Sequence, residues 1–359
     1  MRLFILVDMD YFFAACEELR HHEFRGKPFI VGTSPPSDKL RGVVQSANYE
    51  ARRFGVRSGM PTIKAFELCR DLEYTGPDDS YYEAISERVM NLIRGYGFPM
   101  EIMSIDECVI SLDERDYDYS LKLGSDIRAR ITSDIGLPST VGISVSKIYA
   151  KMACDDAKPN GIKLVKLEEI GEFLIGKPVS KIPGVGPKTE AQLGSIGIET
   201  IGELSEANPM VLIERFGSFG TEMYRISKGL DRSGISDVQS ILSIGREATI
   251  KGEPTAERIA ETLRSLVTNT IGELNKKSML FKTVTVKVRY TDFTDRIRSR
   301  SLNNYTSSSD IVYSTSIKMI NELIESKAPR KIGVRLSSLI EEGGQSKLFG
   351  RANGSAGNA

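Results

Sequence analysis

The stretch FILVDMDYFF (residues 4–13) joins a run of apolar residues to two acids and three aromatic rings. The apolar run predicts a buried strand over residues 2–8, and YFFAACEEL (11–19) predicts the start of a helix. Asp8 would then lie at the end of a buried strand with large flat side chains behind it. A carboxylate in that position predicts a site at the edge of a sheet.

A second pair of acids, Asp106 and Glu107, interrupts MEIMSIDECVISL (100–112), which otherwise reads as two strands. In one continuous strand these neighbouring side chains would point to opposite faces of the sheet. We therefore predict a tight turn or bulge at residues 104–107, which makes a hairpin with the acids at its tip. Taken alone, the pair is also compatible with an ordinary turn.

Three carboxylates that converge at strand ends repel one another unless a cation lies between them. Two Mg²⁺ ions would satisfy them, and such a pair is a standard device for in-line displacement at phosphorus. The chain has only two histidines, His21 and His22, and its four cysteines are widely spaced. That pattern excludes a recognisable zinc site and a disulfide framework, so any metal site is expected to use oxygen ligands.

The 359-residue chain is long enough for two or more domains, and its 40% hydrophobic and 27% charged residues are typical of a globular protein. Neither a membrane span nor a signal peptide is indicated, and we expect a cytoplasmic protein. Helices and strands mix without a strict βαβ repeat, which favours an α+β architecture over a Rossmann fold.

Charge is unevenly distributed along a chain whose formal net charge is zero. Residues 1–240 carry a net charge of −7, and residues 241–340 carry a net charge of +7. The basic C-terminal third suggests a separate domain with a polyanionic partner, although a merely solvated surface remains the alternative.

Two predicted strands of that third carry basic rows. In KTVTVKVRYTDF (282–293), Lys287 and Arg289 alternate with valines that form the opposite, packed face. In DRIRSRSL (295–302), Arg296, Arg298 and Arg300 share one side. Rows of this kind are suited to following a phosphate backbone.

Six ordered motifs resemble those of the Y-family DNA polymerases, in particular the archaeal polymerase IV branch. The resemblance extends over about residues 1–340. The motifs are VDMDYFFA (7–14), SANYEARRFGVRSGMP (46–61), SIDE (104–107), TVGIS (140–144), KIYAKMACDDAKPNGI (147–162) and IPGVGPKT (182–189).

This resemblance implies roles for the residues of the opening stretch. Asp8, Asp106 and Glu107 match the catalytic metal-binding acids of the family, and the carbonyl of Met9 matches a further metal ligand. Tyr11 and Phe12 match positions whose backbone amides face the triphosphate. Phe13 matches the steric gate, the ring that blocks a ribose 2′-hydroxyl, although core packing is the alternative role for both Phe12 and Phe13.

Further nucleotide contacts follow from the same resemblance. Tyr49, Arg52 and Lys158 match the residues that bind the triphosphate, for which a hydroxyl, a guanidinium fork and an ammonium group are suitable donors. Ser46 stands where a hydroxyl or small side chain is common.

The segment IPGVGPKTEAQLGSIGI (182–198) superficially suggests a nucleotide P-loop, but it lacks the G-x-x-x-x-G-K-[ST] spacing and a preceding strand. It resembles a helix-hairpin-helix, in which Gly184 and Gly186 let a duplex backbone approach and amides at a helix N-terminus bind phosphate. The DNA-binding residues expected across the chain are Gly184, Gly186, Lys188, Lys287, Arg289, Arg296, Arg298, Arg300 and Arg335.

The family architecture implies a multidomain α+β right-hand polymerase with a ferredoxin-like palm, small fingers, a helical thumb and an α/β little finger. The expected segments are a palm (1–10 and 78–166), fingers (11–77), a thumb with the helix-hairpin-helix (167–230), a linker (231–242), a little finger (243–341) and a flexible tail (342–359). The linker has few basic residues compared with many relatives.

The expected activity is translesion DNA synthesis, in which dNTPs are added to a primer 3′ end by two-metal phosphoryl transfer with low fidelity and distributively. The implied cofactor is Mg²⁺, two ions per site, with Mn²⁺ as a substitute. The implied partners of a monomer are primer-template DNA and dNTPs. The tail GGQSKLFG (343–350) partly resembles a peptide that docks on sliding clamps, with Gln345, Leu348 and Phe349 as its anchors, but it lacks the usual spacing and the second aromatic residue. The alternatives are a non-catalytic DNA-binding protein and another palm-type enzyme such as a nucleotidyl cyclase.

Overall fold

The computed structural model of the chain describes residues 2–33, 42–113, 116–235, 241–250, 252–324 and 327–342. Internal contacts divide the chain into two compact units, Met1–Asp237 and Val238–Ala359. We call them unit 1 and unit 2. Within the described ranges, no helix has the length and apolar character needed to cross a bilayer.

The strands of the described residues are β1 (Leu3–Met9), β2 (Phe29–Gly32), β3 (Val44–Ala47), β4 (Glu73–Thr75), β5 (Met100–Ile102), β6 (Glu107–Leu112), β7 (Ser139–Ser144), β8 (Ile162–Leu164), β9 (Ser243–Thr249), β10 (Met279–Tyr290), β11 (Asp295–Thr306), β12 (Pro329–Ser337) and β13 (Ile340–Glu341).

The α-helices of the same residues are α1 (Phe12–Arg20), α2 (Tyr49–Arg53), α3 (Thr62–Leu68), α4 (Asp79–Arg94), α5 (Tyr117–Asp134), α6 (Lys147–Ala157), α7 (Ile170–Ile175), α8 (Pro187–Gly194), α9 (Ile201–Glu206), α10 (Pro209–Phe216), α11 (Ser218–Ser227), α12 (Ala256–Lys276) and α13 (Ser309–Ile324).

The main sheet of unit 1 has the order β5-β6-β1-β7-β8. The predicted strand β1 lies at its centre and is antiparallel to both neighbours, and all seven of its residues are buried. Leu3, Ile5 and Val7 share a core with α4 and α5, whereas Phe4 and Leu6 share a second core with α6. Burial on both faces explains why this strand is continuously apolar instead of alternating.

The predicted hairpin is confirmed. Strands β5 and β6 pair antiparallel, and the amides of Met103 and Ser104 both donate to the carbonyl of Glu107, at 2.9 and 3.1 Å. The turn therefore presents Asp106 at its end, and Glu107 is the first residue of β6. Strand β1 runs beside this corner, so Asp8 lies directly opposite Glu107 in the ladder.

Helix α6 packs closely on β7 because of one glycine. A Cβ atom at Gly142 would lie 2.0 Å from the carbonyl oxygen of Ala150 and 2.7 Å from the Cβ of Cys154. Only a residue without a side chain permits this approach. The close packing brings the side chains of α6 to the edge of the sheet where β1 and β6 carry their acids.

A smaller sheet of order β3-β2-β4 forms the second part of unit 1 and has its own apolar core, which includes Ile30, Val44 and Ala51. The predicted loop TSPPSDK covers residues 33–39, and its residues 34–39 lie outside the described residues. The segment from α7 to α11 is entirely helical apart from short turns, as its glycine-interrupted sequence predicts.

Unit 2 is a sheet of order β11-β10-β12-β9 with helices α12 and α13 on one face. The predicted alternation in β10 is confirmed, because Val284, Val286 and Val288 are fully buried while Lys287 and Arg289 lie on the open face. Apolar residues of both helices cover the valines.

The two predicted basic rows lie on opposite faces of the unit 2 sheet. Arg300, Arg298 and Arg296 pair in the ladder with Val284, Val286 and Val288, and residues directly opposite in a sheet point to the same side. The arginines are therefore on the face that carries the helices, and Arg298 forms an ion pair with Glu322 of α13. They are exposed because β11 is the edge strand.

Candidate active site

The three predicted acids lie at one corner of the unit 1 sheet. Asp8 is the register partner of Glu107, and the amide of Met9 donates to the carbonyl of Asp106 at 2.9 Å. Asp8 is only 6% exposed, so its charge is poorly solvated. Asp106 is less buried, and one of its carboxylate oxygens accepts a hydrogen bond from Ser104 Oγ at 2.5 Å.

Two lysines of the α6 segment form ion pairs with these acids. Lys158 Nζ lies 2.6 Å from Asp8 Oδ2, and Lys151 Nζ lies 3.2 Å from the same oxygen. Lys151 Nζ is also 3.0 Å from Glu107 Oε1. Although the distance is short, Glu107 Oε1 is a buried oxygen that makes no aligned hydrogen bond with any described residue.

Burial is the largest influence on the pKa values of Asp8 and Glu107. Burial raises the pKa of Asp8, and the opposing effects of Lys158 and Lys151 do not cancel it. Burial likewise raises the pKa of Glu107 against the pull of Lys151, and Asp8 adds to the increase. Burial alone would lower the pKa of Lys151, but the surrounding carboxylates outweigh it and the net shift is upward.

This donor set fits divalent ions in its chemistry. The corner offers hard carboxylate oxygens, one of them without an aligned partner, at the buried end of a sheet. Asp8 and Glu107 contact the lysines instead, and within the described ranges no three acidic, histidine or cysteine side chains are grouped so that they could hold an ion as they stand. Binding of an ion therefore requires the carboxylates to exchange an ammonium partner for the metal.

The turn between β1 and α1 follows shortly after Asp8 in the chain. Tyr11 has a left-handed conformation (φ 40°, ψ 43°) and caps α1, so the amides at the start of the helix lack intrahelical acceptors. Ser46 Oγ donates to the Tyr11 carbonyl at 3.0 Å and is buried. The Ser46 hydroxyl thus ties β3 to this turn.

Phe13 lies beside the turn and packs against a buried aromatic ring. Its ring stacks on the fully buried ring of Tyr82, with centroids 4.7 Å apart and an interplanar angle of 27°. The Tyr82 hydroxyl donates to buried Glu17 at 2.7 Å. Both Phe12 and Phe13 line the cavity, but Phe12 is 3% exposed and belongs to the core, whereas Phe13 is half-buried.

Tyr49 and Arg52 form the opposite wall from helix α2. The Arg52 guanidinium lies over the Tyr49 ring, 4.9 Å from its centroid, and Arg52 Nε donates to the Ala47 carbonyl at 2.9 Å. Burial and the nearby Asp10 carboxylate raise the pKa of Tyr49 to about 12, so its hydroxyl keeps its proton at neutral pH. Both side chains offer donors for an anion.

Asp10 is a residue of the site that sequence reasoning missed. It is 1% exposed, and its oxygens accept from Thr140 Oγ1 at 3.0 and 2.9 Å and from the Asn160 amide at 2.7 Å. The Tyr49 hydroxyl donates to Asp10 Oδ1 at 3.4 Å. Asp10 therefore connects the Tyr49 wall to the chain that follows Lys158. Its place in the DMD sequence was the available signal.

These residues enclose one cavity of about 150 Å³. Its walls contain Asp8, Met9, Asp10, Tyr11, Phe12, Phe13, Gln45, Ser46, Tyr49, Arg52, Ser58, Asp106 and Lys158. Gln45 and Ser58 were not predicted, and Gln45 Oε1 is a further buried oxygen without a partner among the described residues. Glu107 is not part of the lining, although its pKa responds to Asp8.

The predicted helix-hairpin-helix forms without a preceding strand, as expected if the segment is not a P-loop. Gly184 has a left-handed φ of +92°, which favours glycine, and a Cβ atom there would lie 3.1 Å from the ring of Phe219. Gly186 precedes α8, whose first residue is Pro187, and its first turn includes the exposed Lys188. The amides of this turn have no intrahelical acceptor.

On the open face of the unit 2 sheet, most basic residues already have partners. Asp295 contacts Lys287 at 3.3 Å and Arg289 at 2.6 Å, and Glu247 contacts Lys287 at 3.2 Å. Arg335 is exposed and forms no ion pair with any described residue. These acids reduce the positive charge that the row of basic residues suggests from sequence alone.

Gln345, Leu348 and Phe349, the expected clamp-binding anchors, lie outside the described residues, as does most of the predicted tail. The same holds for residues 236–240 of the predicted linker.

Family models match three parts of the chain. The impB/mucB/samB family model matches residues 7–155, and the model of its C-terminal domain matches residues 242–348. A model described as the thumb domain of DNA polymerase iota matches residues 180–231. The matched segments include the corner acids, the helix-hairpin-helix and the basic sheet.

Curated relatives match nearly the whole chain. A DNA polymerase IV of Methanoculleus marisnigri is 36% identical over 346 residues, which is 96% of this chain and 95% of the relative. A DNA polymerase IV of Leptospira interrogans is 31% identical over 94% of both proteins.

Solved structures agree with the sequence relatives. A Y-family DNA polymerase chimera of Dbh and Dpo4 has a TM-score of 0.86 and 28% identity, and the match covers 94% of this chain and 99% of that one. DinB from Sulfolobus solfataricus has a TM-score of 0.65 and 27% identity over the same shares of the two chains. The predicted right-hand polymerase fold is thereby confirmed, and the chain belongs to the Y-family of DNA polymerases.

Proposed function

We propose that this protein is a template-directed DNA polymerase of the translesion type, which adds dNTPs to a primer 3′ end. The observation that carries the proposal is the cavity in which buried acids at the end of β1 face Tyr49, Arg52 and Lys158. Relatives named DNA polymerase IV and a structure titled "Insertion ternary complex of Dbh DNA polymerase" support the same activity.

Metal dependence is a property of the family, and we propose Mg²⁺ as the cofactor, two ions per site, with Mn²⁺ as a substitute. Asp8, Asp106, Glu107 and the carbonyl of Met9 would hold the ions. When bound, they would activate the primer hydroxyl and neutralise the charge that develops on the phosphates. The raised pKa values of Asp8 and Glu107 support this role, since they mark carboxylates whose charge is poorly compensated.

The remaining cavity residues would position the nucleotide. Lys158 and Arg52 provide positive charge for the triphosphate, Tyr49 provides a hydroxyl, and the amides of Tyr11 and Phe12 provide further donors. Phe13 would contact the sugar, and its stacking on Tyr82 keeps the ring from moving aside. Ser46 would act through the Tyr11 carbonyl that it binds. This fixed arrangement supplies orientation and electrostatic stabilisation.

DNA would be held mainly through its backbone. The helix-hairpin-helix offers Gly184, Gly186 and Lys188, and unit 2 offers Lys287, Arg289, Arg335 and the β11 arginines 296, 298 and 300. Contacts of this kind position a duplex without reading its sequence, which suits an enzyme that copies damaged templates. We further propose that the protein acts as a cytoplasmic monomer, distributively and with low fidelity. A clamp contact through residues 345–349 remains a prediction.

A primer-extension assay tests the proposal. Asp106→Ala removes a carboxylate at the corner without disturbing the core, so we expect normal thermal unfolding and loss of nearly all extension. Near wild-type extension by a folded Asp106→Ala protein would refute the metal-site assignment.

The same assay separates the alternatives. With dNTPs and primer-template, a polymerase lengthens the primer, whereas a DNA-binding protein leaves it unchanged. A nucleotidyl cyclase would release a cyclic product from the nucleotides whether or not primer-template is present.

A further inference from the structure

One face of the α6 segment is arranged as a set of charges directed at the acidic corner. Lys151, Asp155 and Lys158 are four and three positions apart, so they lie on the same side. Lys151 Nζ is 3.5 Å from Asp155 Oδ1, and Lys158 Nζ is 3.3 Å from the same atom. Asp155 thus contacts both ammonium groups, and the same two groups also contact the acids of the strands.

Lys151 is the member of this set that bridges two strands. Its ammonium group contacts Asp8 on β1 and Glu107 on β6 at 3.2 and 3.0 Å. The side chains concerned are only 20%, 8% and 13% exposed, so water screens these interactions weakly. Without Lys151, two adjacent buried carboxylates would face each other with only Lys158, on Asp8, as a partner.

Lys158 has another proposed partner in the triphosphate, whereas no nucleotide role accounts for Lys151, which does not line the cavity. We propose that Lys151 is an internal counter-ion of the metal site. Its ammonium group neutralises Asp8 and Glu107 while no divalent ion is bound, and it gives up these contacts when an ion binds. This inference rests on the proposed metal-dependent function.

Such a counter-ion has two opposite effects. It stabilises the metal-free protein, since buried carboxylates without a partner are strongly destabilising. It also lowers the affinity for divalent ions, because an ion must displace a positive charge from its own ligands and then remain near it. Lys151 therefore lowers the metal affinity of the free enzyme, but it stabilises the acidic corner while no ion is bound.

The decisive experiment measures Mn²⁺ binding, by the electron paramagnetic resonance signal of free Mn²⁺, without DNA or nucleotide. Lys151→Met keeps the length and apolar stem of the side chain but removes its charge. We expect it to bind Mn²⁺ at least about fivefold more tightly than the wild-type protein, which is the lower end of typical coupling between two sites. Lys151→Arg keeps the charge and should retain wild-type affinity.

Lys147→Met is the matched control. Lys147 begins α6, and its ammonium group lies 3.0 Å from both carboxylate oxygens of Glu101, which is not one of the corner acids. This control loses an equally buried ion pair but should keep wild-type Mn²⁺ affinity. With EDTA, both methionine variants should unfold at a lower temperature than the wild type. Added Mn²⁺ should raise the unfolding temperature of Lys151→Met by more than it raises that of the wild type, and Lys147→Met should show no such extra increase.

Unchanged or weaker Mn²⁺ binding by Lys151→Met would overturn the counter-ion role, provided that the wild-type binding is lost in Asp106→Ala. If Asp106→Ala binds Mn²⁺ as the wild type does, or the wild type binds none, the metal site of the proposed function fails instead. If Lys151→Met does not fold, Lys151→Gln replaces it with the same expectations.

Discussion

At the residue scale, the candidate site depends on acids with different tasks in one short stretch. Both Asp8 and Asp10 line the cavity, but Asp8, on β1, contacts the lysines, whereas Asp10, just after the strand, is enclosed by hydrogen-bond donors from β7, the Asn160 amide and Tyr49. The Asp10 carboxylate is therefore less available to an ion than that of Asp8. The letters DMD do not distinguish these tasks, because the difference comes from what surrounds each carboxylate.

Asp10 is predicted to position the nucleotide-binding wall without touching the nucleotide. Asp10→Asn keeps the shape but replaces an acceptor oxygen by a donor, which opposes the Tyr49 hydroxyl or the Asn160 amide. Hydrogen bonds to a buried charged group contribute about 1.5–3 kcal/mol, so we expect the KM for dNTP to rise about tenfold or more. Steady-state single-nucleotide incorporation measures it.

The test of Asp10 depends on the split between kinetic constants. A positioning role raises KM more than it lowers kcat, whereas general misfolding lowers the active fraction and leaves KM unchanged. A variant with wild-type KM would show that the Asp10 network does not hold the wall.

Phe13 is predicted to exclude ribonucleotides. Phe13→Ala removes the ring that stacks on Tyr82, and space for a 2′-hydroxyl becomes available. We expect discrimination between dNTP and rNTP, measured as a ratio of kcat/KM values, to fall at least about tenfold. Phe54→Ala, at an aromatic residue that is 51% exposed in the same unit, is the control and should keep discrimination. Equal discrimination in both variants would assign the gate to another residue.

At the element scale, turns and sheet faces decide which groups can meet DNA. The turn before α8 contains Gly184, which has a positive φ that favours glycine, and Gly186, which has an ordinary φ that any residue can adopt. In unit 2, the strand pairing places two rows of basic residues on opposite faces. The open face of that sheet also contains Asp295 and Glu247, which partly neutralise it.

Alanine substitutions at Gly184 and Gly186 are predicted to have different effects, one on stability and the other on DNA affinity. Gly184→Ala forces a left-handed backbone and a contact of 3.1 Å with Phe219, which should destabilise the protein by about 1–2 kcal/mol. At Gly186 a Cβ atom would meet no described atom within 4 Å, so Gly186→Ala should leave the unfolding temperature unchanged. If the duplex backbone approaches Gly186, however, the same variant should bind DNA more weakly.

Thermal unfolding and fluorescence anisotropy with labelled primer-template measure the two effects. Gly176→Ala, at a similarly open position with an ordinary φ of −92°, is the control for both. Wild-type DNA affinity of Gly186→Ala would show that the duplex does not come close to this turn.

Asp295 is predicted to restrain the DNA affinity of unit 2. Its contacts with Arg289 and Lys287 lower the pKa of its carboxyl to about 2, so it is ionised at neutral pH. Asp295→Asn should release Arg289 for phosphates and should leave Lys287 with Glu247 as its remaining acidic partner. We expect tighter DNA binding at low salt and a salt slope steeper by about one.

The control for this prediction is Glu261→Gln, which makes the same charge change on an exposed position of α12. It should alter the affinity much less than Asp295→Asn at the same salt concentration. If the two variants behave alike, net charge and not the open face accounts for binding.

At the scale of the whole molecule, the two units have separate apolar cores and carry different candidate functional groups. Unit 1 contains the acidic corner and the cavity beside it, and unit 2 contains a basic sheet with its own helices. The net charges of −7 and +7 of the corresponding parts of the sequence match this division. The finer segments, namely palm, fingers, thumb, linker and little finger, remain predictions within the two units.

The two cores are predicted to unfold as separate cooperative units. Scanning calorimetry of the whole protein should show two transitions. Leu6→Ala creates a cavity in unit 1 and Leu263→Ala creates one in unit 2, each at a fully buried residue, and each costs about 2–5 kcal/mol. Each variant should move a different transition. A single transition that both variants shift equally would show that the units unfold together.

The sequence by itself determined the central strand, the acidic hairpin, the alternation in β10 and the charge division, because each depends on local periodicity or composition. Six motifs in order were sufficient to indicate the family. The tertiary structure alone decided which groups surround Asp8 and Asp10, that Lys151 bridges Asp8 and Glu107, and which sheet face each basic row occupies. These features depend on strand register and on the close packing of α6 against β7, which bring together residues from 44 (Lys151 and Glu107) to 150 (Lys158 and Asp8) positions apart in the chain.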